Sequence, residues 1–235
     1  MVNRISCRYE LGGKLMYSIA IDGPAGAGKS TIAKTIAKKL EFIYVDTGAM
    51  YRAMALYFIR HQIDPSDENA INQACPDIHV SIAYENGIQQ VLLNGENVNG
   101  QIRTEEVGNM ASKTSAYKMV RATLLDLQRN LAKTSNILMD GRDIGTNVLP
   151  NADLKIYLTA SSKVRAKRRY DELVEKGVKA DFDQIEQDII VRDHQDMERE
   201  IAPLKKAEDA VLVDSSDMTI EEVVNTVIDA FEKVK

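Results

Sequence analysis

The sequence predicts an α/β protein of three layers, with a five-stranded parallel sheet between helices, and three observations carry that expectation. Strand-like and helix-like patterns alternate along most of the chain. The strand-like runs are short and rich in isoleucine, leucine and valine, as strands covered on both faces are. The first of them ends in a glycine-rich turn that opens an amphipathic helix.

Taken in order, Tyr17 to Asp22 is the first strand. Residues Gly23 to Ser30 then read GPAGAGKS, which fits the G-x4-G-K-S/T phosphate-binding loop at every defined position and lies where that loop must lie, between a strand and a helix. Ile32, Ala33, Ile36, Ala37 and Leu40 fall at helical spacing while Lys34, Lys38 and Lys39 take the other side, so the helix is amphipathic. The fold class is therefore of P-loop NTPase type. Ile43 to Asp46, Asn136 to Asp140, Leu154 to Leu158 and Ala210 to Val213 supply the other four strands. At the end of the chain, Thr219 with Glu222 makes a capping box, and Ile220, Val223, Val224, Val227, Ile228 and Phe231 form the stripe expected to pack on the sheet.

One region breaks the alternation. Ile78, Val80 and Ile82 alternate with polar residues, Asn86-Gly87 turns the chain into Ile88 to Leu93, and a second Asn-Gly follows at Asn94-Gly95. Residues 65–103 thus read as a β-rich insert, a small antiparallel meander. The expected organisation is a disordered extension over 1–15, with Met16 as the expected start of the folded chain. A core over 16–64 and 134–235 then flanks an acceptor-binding region over 65–133 that holds the insert.

Composition bounds the ligand. A chain of 235 residues suits one large core with a smaller inserted unit, on a scale of ~150 residues per domain. Hydrophobic residues at 44% and charged residues at 28% are ordinary for a soluble globular protein. The net charge of -5 argues against general nucleic-acid binding, so a small ligand is expected. Cys7 and Cys75 form no C-x-x-C pair, and His61, His79 and His194 are too scattered for a metal cluster. A reducing, cytoplasmic location and a monomer are expected. No run reaches the ~20 apolar residues of a membrane span, and residues 1–15 lack the apolar stretch of a secretory signal.

The loop's chemistry explains its residue types. Backbone N–H groups cradle phosphate oxygens, and Gly23, Gly26 and Gly28 allow the close approach. The helix that follows adds its N-terminal dipole. The expected nucleotide-triphosphate contacts are Gly23, Pro24, Ala25, Gly26, Ala27, Gly28, Lys29, Ser30 and Thr31, with Lys29 on the β- and γ-phosphates and the Ser30 hydroxyl on a magnesium ion.

The arginines give the second clue, because their planar fork binds phosphate bidentately. Arg52 and Arg142 each follow a sheet strand at its carboxyl end, where open α/β sheets bind ligands. Arg165, Arg168 and Arg169 share a face if residues 161–176 are helical, and Arg192, Asp196 and Arg199 repeat the arrangement on the next helix. Such faces also suit ordinary solvated i,i+4 pairs such as Arg192 with Asp196. Beside a phosphate loop they suit a lid over residues 165–200 that carries Arg165, Arg168, Arg169 and Arg199 and excludes water.

The segments Asp46-Thr-Gly-Ala-Met-Tyr-Arg52, Ile102-Arg-Thr-Glu-Glu-Val107, Asp140-Gly-Arg-Asp-Ile-Gly-Thr146, Arg192-Asp193 and Ala202-Pro-Leu204, together with the loop, resemble the bacterial cytidylate kinase family of nucleoside monophosphate kinases. The likeness runs from about Ser18 to the last helix. It implies a five-stranded core, a lid and an enlarged acceptor domain with a β-rich insert. It also implies that Ser112, Arg121 and Asp143 hold a cytosine ring, that Arg52 and Arg142 lie near the acceptor phosphate, and that Arg192 and Asp196 lie at its phosphate and sugar. Thr47 stands where some relatives have serine, which retains the hydroxyl.

The implied activity is transfer of the γ-phosphoryl group of ATP, with Mg²⁺, to CMP or dCMP, with Lys29, Arg142 and Arg192 as the catalytic groups. A carboxylate such as Asp143 accepts from the exocyclic amine of cytosine, whereas uracil reverses the donor pattern there. Two alternatives stay open on the residues alone. One is a P-loop kinase for UMP, AMP or a non-nucleotide acceptor. The other is a nucleotide-dependent switch, disfavoured because an Asn-Lys-x-Asp segment is absent.

Overall fold

The computed structural model describes Glu10, Leu11 and residues 14–235. The elements in order are β1 (Glu10–Leu11), β2 (Lys14–Leu15), β3 (Ser18–Asp22), α1 (Lys29–Leu40), β4 (Ile43–Asp46), α2 (Thr47–Arg60) and α3 (Glu68–Ala74). Next come β5 (Val80–Glu85), β6 (Ile88–Leu93), β7 (Glu96–Asn97), α4 (Glu105–Thr114), α5 (Lys118–Thr134) and β8 (Ile137–Gly141). The chain closes with β9 (Leu154–Thr159), α6 (Ser162–Glu175), α7 (Phe182–Glu198), β10 (Val211–Asp214) and α8 (Ile220–Glu232). The main sheet has the order β10-β9-β3-β8-β4, and every pairing in it is parallel. All five strands fall within a residue or so of the sequence expectation.

Alternation along these strands divides the core into two layers. Ala20, Val45, Ile137 and Met139 face α2, α4, α5 and the insert, with Met50, Met54, Phe58 and Leu124 fully buried among them. Ile19, Ile21, Leu138 and Ile156 face α1 and α8, against Ile36, Val227 and Phe231. The capping box on α8 forms as its spacing predicts. Ile220 differs: at 58% exposure it leaves the buried stripe, because it is the first residue of α8 and lines the cleft.

The insert is a three-stranded antiparallel sheet in the order β5-β6-β7. Asn86 and Gly87 both take positive φ, 51° and 76°, which is the backbone that a two-residue hairpin requires. Residues 68–77 are a correction to the β-rich reading, since they form α3 and a 3₁₀ turn with Asp67 capping the helix through Ala70 N–H. A polar seam fixes the insert to the open edge of the main sheet. Gln89 accepts from Asp46 N–H at 2.9 Å and donates to Asp46 C=O at 3.2 Å, and the Tyr84 hydroxyl donates to Tyr44 C=O at 3.2 Å. Arg60 at the end of α2 forks onto Glu96 at 2.7 and 2.8 Å. In the amino-terminal extension β1 and β2 pair antiparallel, which departs from disorder at those four residues. Residues 1–9, 12 and 13, and Cys7 with them, lie outside the described residues. Among the described residues no helix is long and apolar enough to cross a membrane, and no His, Cys, Asp or Glu cluster could hold a metal ion by itself.

Candidate active site

A cleft of about 730 Å³ opens at the carboxyl ends of the strands, where parallel sheets place their ligands. The loop between β3 and α1 forms one wall, with Ala25 to Thr31 lining it. Gly26 and Gly28 adopt φ of 75° and 87°, which L side chains rarely reach. Of the expected nucleotide contacts, Ala25 to Thr31 line the cleft, while Gly23 and Pro24 lie just behind that stretch. Gly23 serves packing instead: a Cβ there would stand 1.9 Å from the Leu158 carbonyl oxygen of β9.

Lys29 is buried, and its Nζ donates to Pro24 C=O at 2.7 Å. Burial, and then the nearby Arg142 guanidinium, push its pKa well below the usual lysine range, so the site favours an added anion. Ser30 Oγ donates to Asp140 Oδ2 at 2.8 Å, and the Tyr44 hydroxyl donates to Oδ1 at 3.1 Å. Burial, with Asp46 beside it, raises Asp140 to about 6. Asp22, also raised to about 6 by burial, accepts from Ile144 and Gly145 N–H at 2.7 Å each. It thereby ties the strand before the phosphate loop to the segment after β8.

The Asp140 shift gives a pH dependence whose sign can be worked out. Its proton is held more tightly in the folded state, at about 6, than at the ordinary value of 3.8. The stability this contributes is complete at low pH and is lost as pH rises from about 4 to about 6. Asp140→Asn lacks this loss, so its stability relative to the parent should climb across that interval and level off above it. Urea unfolding of both proteins between about pH 4 and 7 measures the difference.

The other half of the cleft is cationic. Arg52 of α2, Arg142 after β8 and Arg192 of α7 converge there. Burial first, then Arg142 and Arg52, lower Arg192 to about 10, and its buried Nε has no hydrogen-bond partner. Burial likewise lowers Arg52, with Arg103 and Arg142 adding to it. Asp196 accepts from Arg142 Nε at 2.8 Å. Burial opposes its ionisation, yet Arg142, Arg199 and Arg192 outweigh that and hold the carboxyl below the usual range. Thr47 donates to Asp140 C=O at 2.7 Å at the start of α2, where Asp46 caps Ala49 N–H and pairs with Arg103 at 2.6 Å.

Deeper in, Arg121 of α5 donates to Asp143 Oδ2 and lies 5.5 Å over the Tyr51 ring. Ser112 of α4 lines the same corner. Linked to the loop through Arg168, which reaches both Ala27 and Ser215, the residues Ser215, Met218, Thr219, Ile220 and Val223 make a mixed wall at the start of α8.

These features form one cleft with an anion cradle, a cluster of converging guanidinium groups of which Arg142 is paired with Asp196, and a polar corner. The comparison that decides the family is the cytidylate kinase model, which matches residues 19–233. The chain belongs to the cytidylate kinase family. It is thus a nucleoside monophosphate kinase, a phosphotransferase. Cytidylate kinases from Caldicellulosiruptor bescii and Caldicellulosiruptor saccharolyticus are 49% and 50% identical over 217 residues, 92% of this chain and 96% of each relative. The cytidylate kinase of Pediococcus pentosaceus is 48% identical over 212 residues, 90% of this chain and 94% of that protein. Among solved structures, an uncharacterized protein from Eubacterium ventriosum aligns at a TM-score of 0.50 with 10% identity, covering 92% of this chain and 99% of that one, a likeness of fold alone.

All the residues that the family resemblance assigns to an acceptor, namely Thr47, Arg52, Ser112, Arg121, Arg142, Asp143, Arg192 and Asp196, line this one cleft. The lid residues divide. Arg165 donates to Ala25 C=O at 3.0 Å and grips Asp193 of α7 through both terminal nitrogens, at 3.0 and 2.5 Å. Arg168 reaches Ala27 C=O at 3.5 Å and Ser215 C=O at 2.8 Å. Arg169 sits at the mouth, paired with Glu172 at 2.9 Å. Arg199 is turned inward from the other lid arginines: it follows the last turn of α7, its side chain is 7% exposed, and it faces Asp143 at 3.5 Å and Asp196 at 3.9 Å. The anticipated Arg192–Asp196 pair also gives way, since Arg142 takes the Asp196 carboxylate. Tyr51 lies in a motif whose pattern gives it no separate role, and Thr219, Ile220 and Val223 read as a helix cap and a core stripe, not as a cleft wall. Asp140 carries a signal of its own, as an aspartate ending a buried strand beside a phosphate loop.

Proposed function

We propose that this cleft transfers the γ-phosphoryl group of ATP to a phosphate oxygen of CMP or dCMP, giving CDP or dCDP. The observation that carries the reading is the convergence of Arg52, Arg142 and Arg192, with Arg192 Nε unpartnered, across from the phosphate loop. Buried like charges depress one another's pKa, and an acceptor dianion placed among them relieves that cost.

The donor polyphosphate lies on the N–H groups of residues 25–31, with Lys29 exchanging its Pro24 contact for phosphate oxygens. The donor base rests against Met218, Thr219, Ile220 and Val223, which accounts for an isoleucine left at 58% exposure. Ser30 and Asp140 present a hydroxyl and a carboxylate within 2.8 Å of each other, hard oxygen donors that suit Mg²⁺. Bound there, the ion neutralises charge on the transferring phosphoryl oxygens. Ser112, Arg121 and Asp143 take the pyrimidine, and Asp196 the sugar.

No general base is required of the chain. A phosphate monoester with a second pKa of about 6 is already mostly dianionic at neutral pH. The protein's work is to align donor and acceptor, neutralise charge and keep water out by closing α6 and α7 over the cleft.

A panel of monophosphates offered with ATP and Mg²⁺ tests the assignment. CMP and dCMP should exceed UMP and AMP in kcat/KM by roughly 10²-fold or more, because a wrong base leaves buried polar groups unpaired. Equal rates for CMP and UMP would contradict the proposed pyrimidine corner.

A further inference from the structure

Asp143 is held from behind by Asn147, a residue that does not itself line the cleft. Asp143 immediately precedes the π-type turn Ile144–Val148 and Asn147 lies within it, its N–H donating to Asp143 C=O at 2.9 Å. Asn147 Nδ2 donates to Asp143 Oδ2 at 3.0 Å, on the same oxygen that Arg121 uses. A carboxylate can only accept, so the nitrogen of the Asn147 amide must be the atom that faces it. The turn is fixed in its turn by Arg129 of α5, which donates to Asn147 C=O at 3.0 Å and Val148 C=O at 3.2 Å.

The two oxygens of Asp143 are therefore unequal. Oδ2 carries two donors, whereas Oδ1 has the Arg199 guanidinium at 3.5 Å, an ion pair too long for a hydrogen bond. Two donors on one oxygen fix the plane of a side chain that could otherwise rotate. They leave Oδ1 as the oxygen with capacity for a ligand.

Resting on the CMP reading above, we infer that Asn147 is a positioning residue for base selection. It orients Asp143 so that Oδ1 accepts from the exocyclic amine of a cytosine-type base, an arrangement with no donor to offer the carbonyl of uracil.

The test compares Asn147→Leu and Asn147→Asp with the parent, in steady-state kinetics with CMP, UMP and ATP and in thermal unfolding. The leucine variant should raise KM for CMP by ~10-fold or more, the worth of a hydrogen bond to a charged group. Its kcat and its KM for ATP should stay near parental values, and the CMP-over-UMP preference should fall by a similar factor. The aspartate variant has the size of asparagine but faces Asp143 with a second carboxylate, so it should lose at least as much preference as the leucine variant. A packing role predicts the opposite order. If the leucine variant does not fold, the aspartate variant decides alone. Variants that keep the preference of a CMP-selective parent overturn the role of Asn147, whereas a parent with no preference for CMP overturns the acceptor reading itself.

Discussion

Replacing Lys29 with alanine should lower kcat by roughly 10³-fold while leaving the fold intact. The lysine is buried, its pKa is depressed, and its one hydrogen bond is to a carbonyl of its own loop. It therefore contributes little to the folded state without nucleotide, and removing it relieves the desolvation of a charge. The loss should appear in transfer, where the proposed role of Lys29 is to hold the β- and γ-phosphate oxygens. Thermal unfolding at or above the parental midpoint, together with a collapsed kcat, is the expected pattern, and near-normal turnover would contradict the loop assignment.

Arg192→Ala should show the same divorce of stability from activity, in a form that isolates the acceptor half. Arg192 brings a guanidinium into a buried cluster with Arg142 and Arg52, has no partner at Nε, and has its pKa pushed down to about 10. Its removal lessens like-charge repulsion, so denaturant unfolding should show equal or greater stability. Phosphoryl transfer should fall by about 10²- to 10³-fold, the scale for losing one preorganised charge at a transition state. A variant both less stable and fully active would mean that Arg192 serves packing.

Much of this was legible in the chain because the signals are local. The five sheet strands, the phosphate loop, the Asn86-Gly87 hairpin and the Thr219–Glu222 capping box each depend on residues within one element or turn. What the sequence hid depends on contacts between distant segments. The i,i+4 spacing of Arg192 and Asp196 suggests a pair, but Arg142 arrives from β8 and takes the carboxylate, which frees Arg192 for the cleft. Arg199 reads as a lid residue by spacing, yet the helix ends at Glu198 and the chain carries its side chain back toward Asp143. Ile220 follows the apolar period of α8 but stands on its first turn and faces the cleft. The turn at Ile144–Val148 has no local pattern, because Asp22 and Arg129 shape it from other elements.

Direct transfer from a donor phosphate on the loop to an acceptor phosphate among the arginines, with water kept out, is tested by incubating the purified chain with Mg²⁺, CMP and ATP labelled in its γ-phosphoryl group and following the label. Label should appear in the β-phosphate of CDP, one for each ADP formed. Label released as inorganic phosphate, or ADP formed without CDP, would rule direct transfer out.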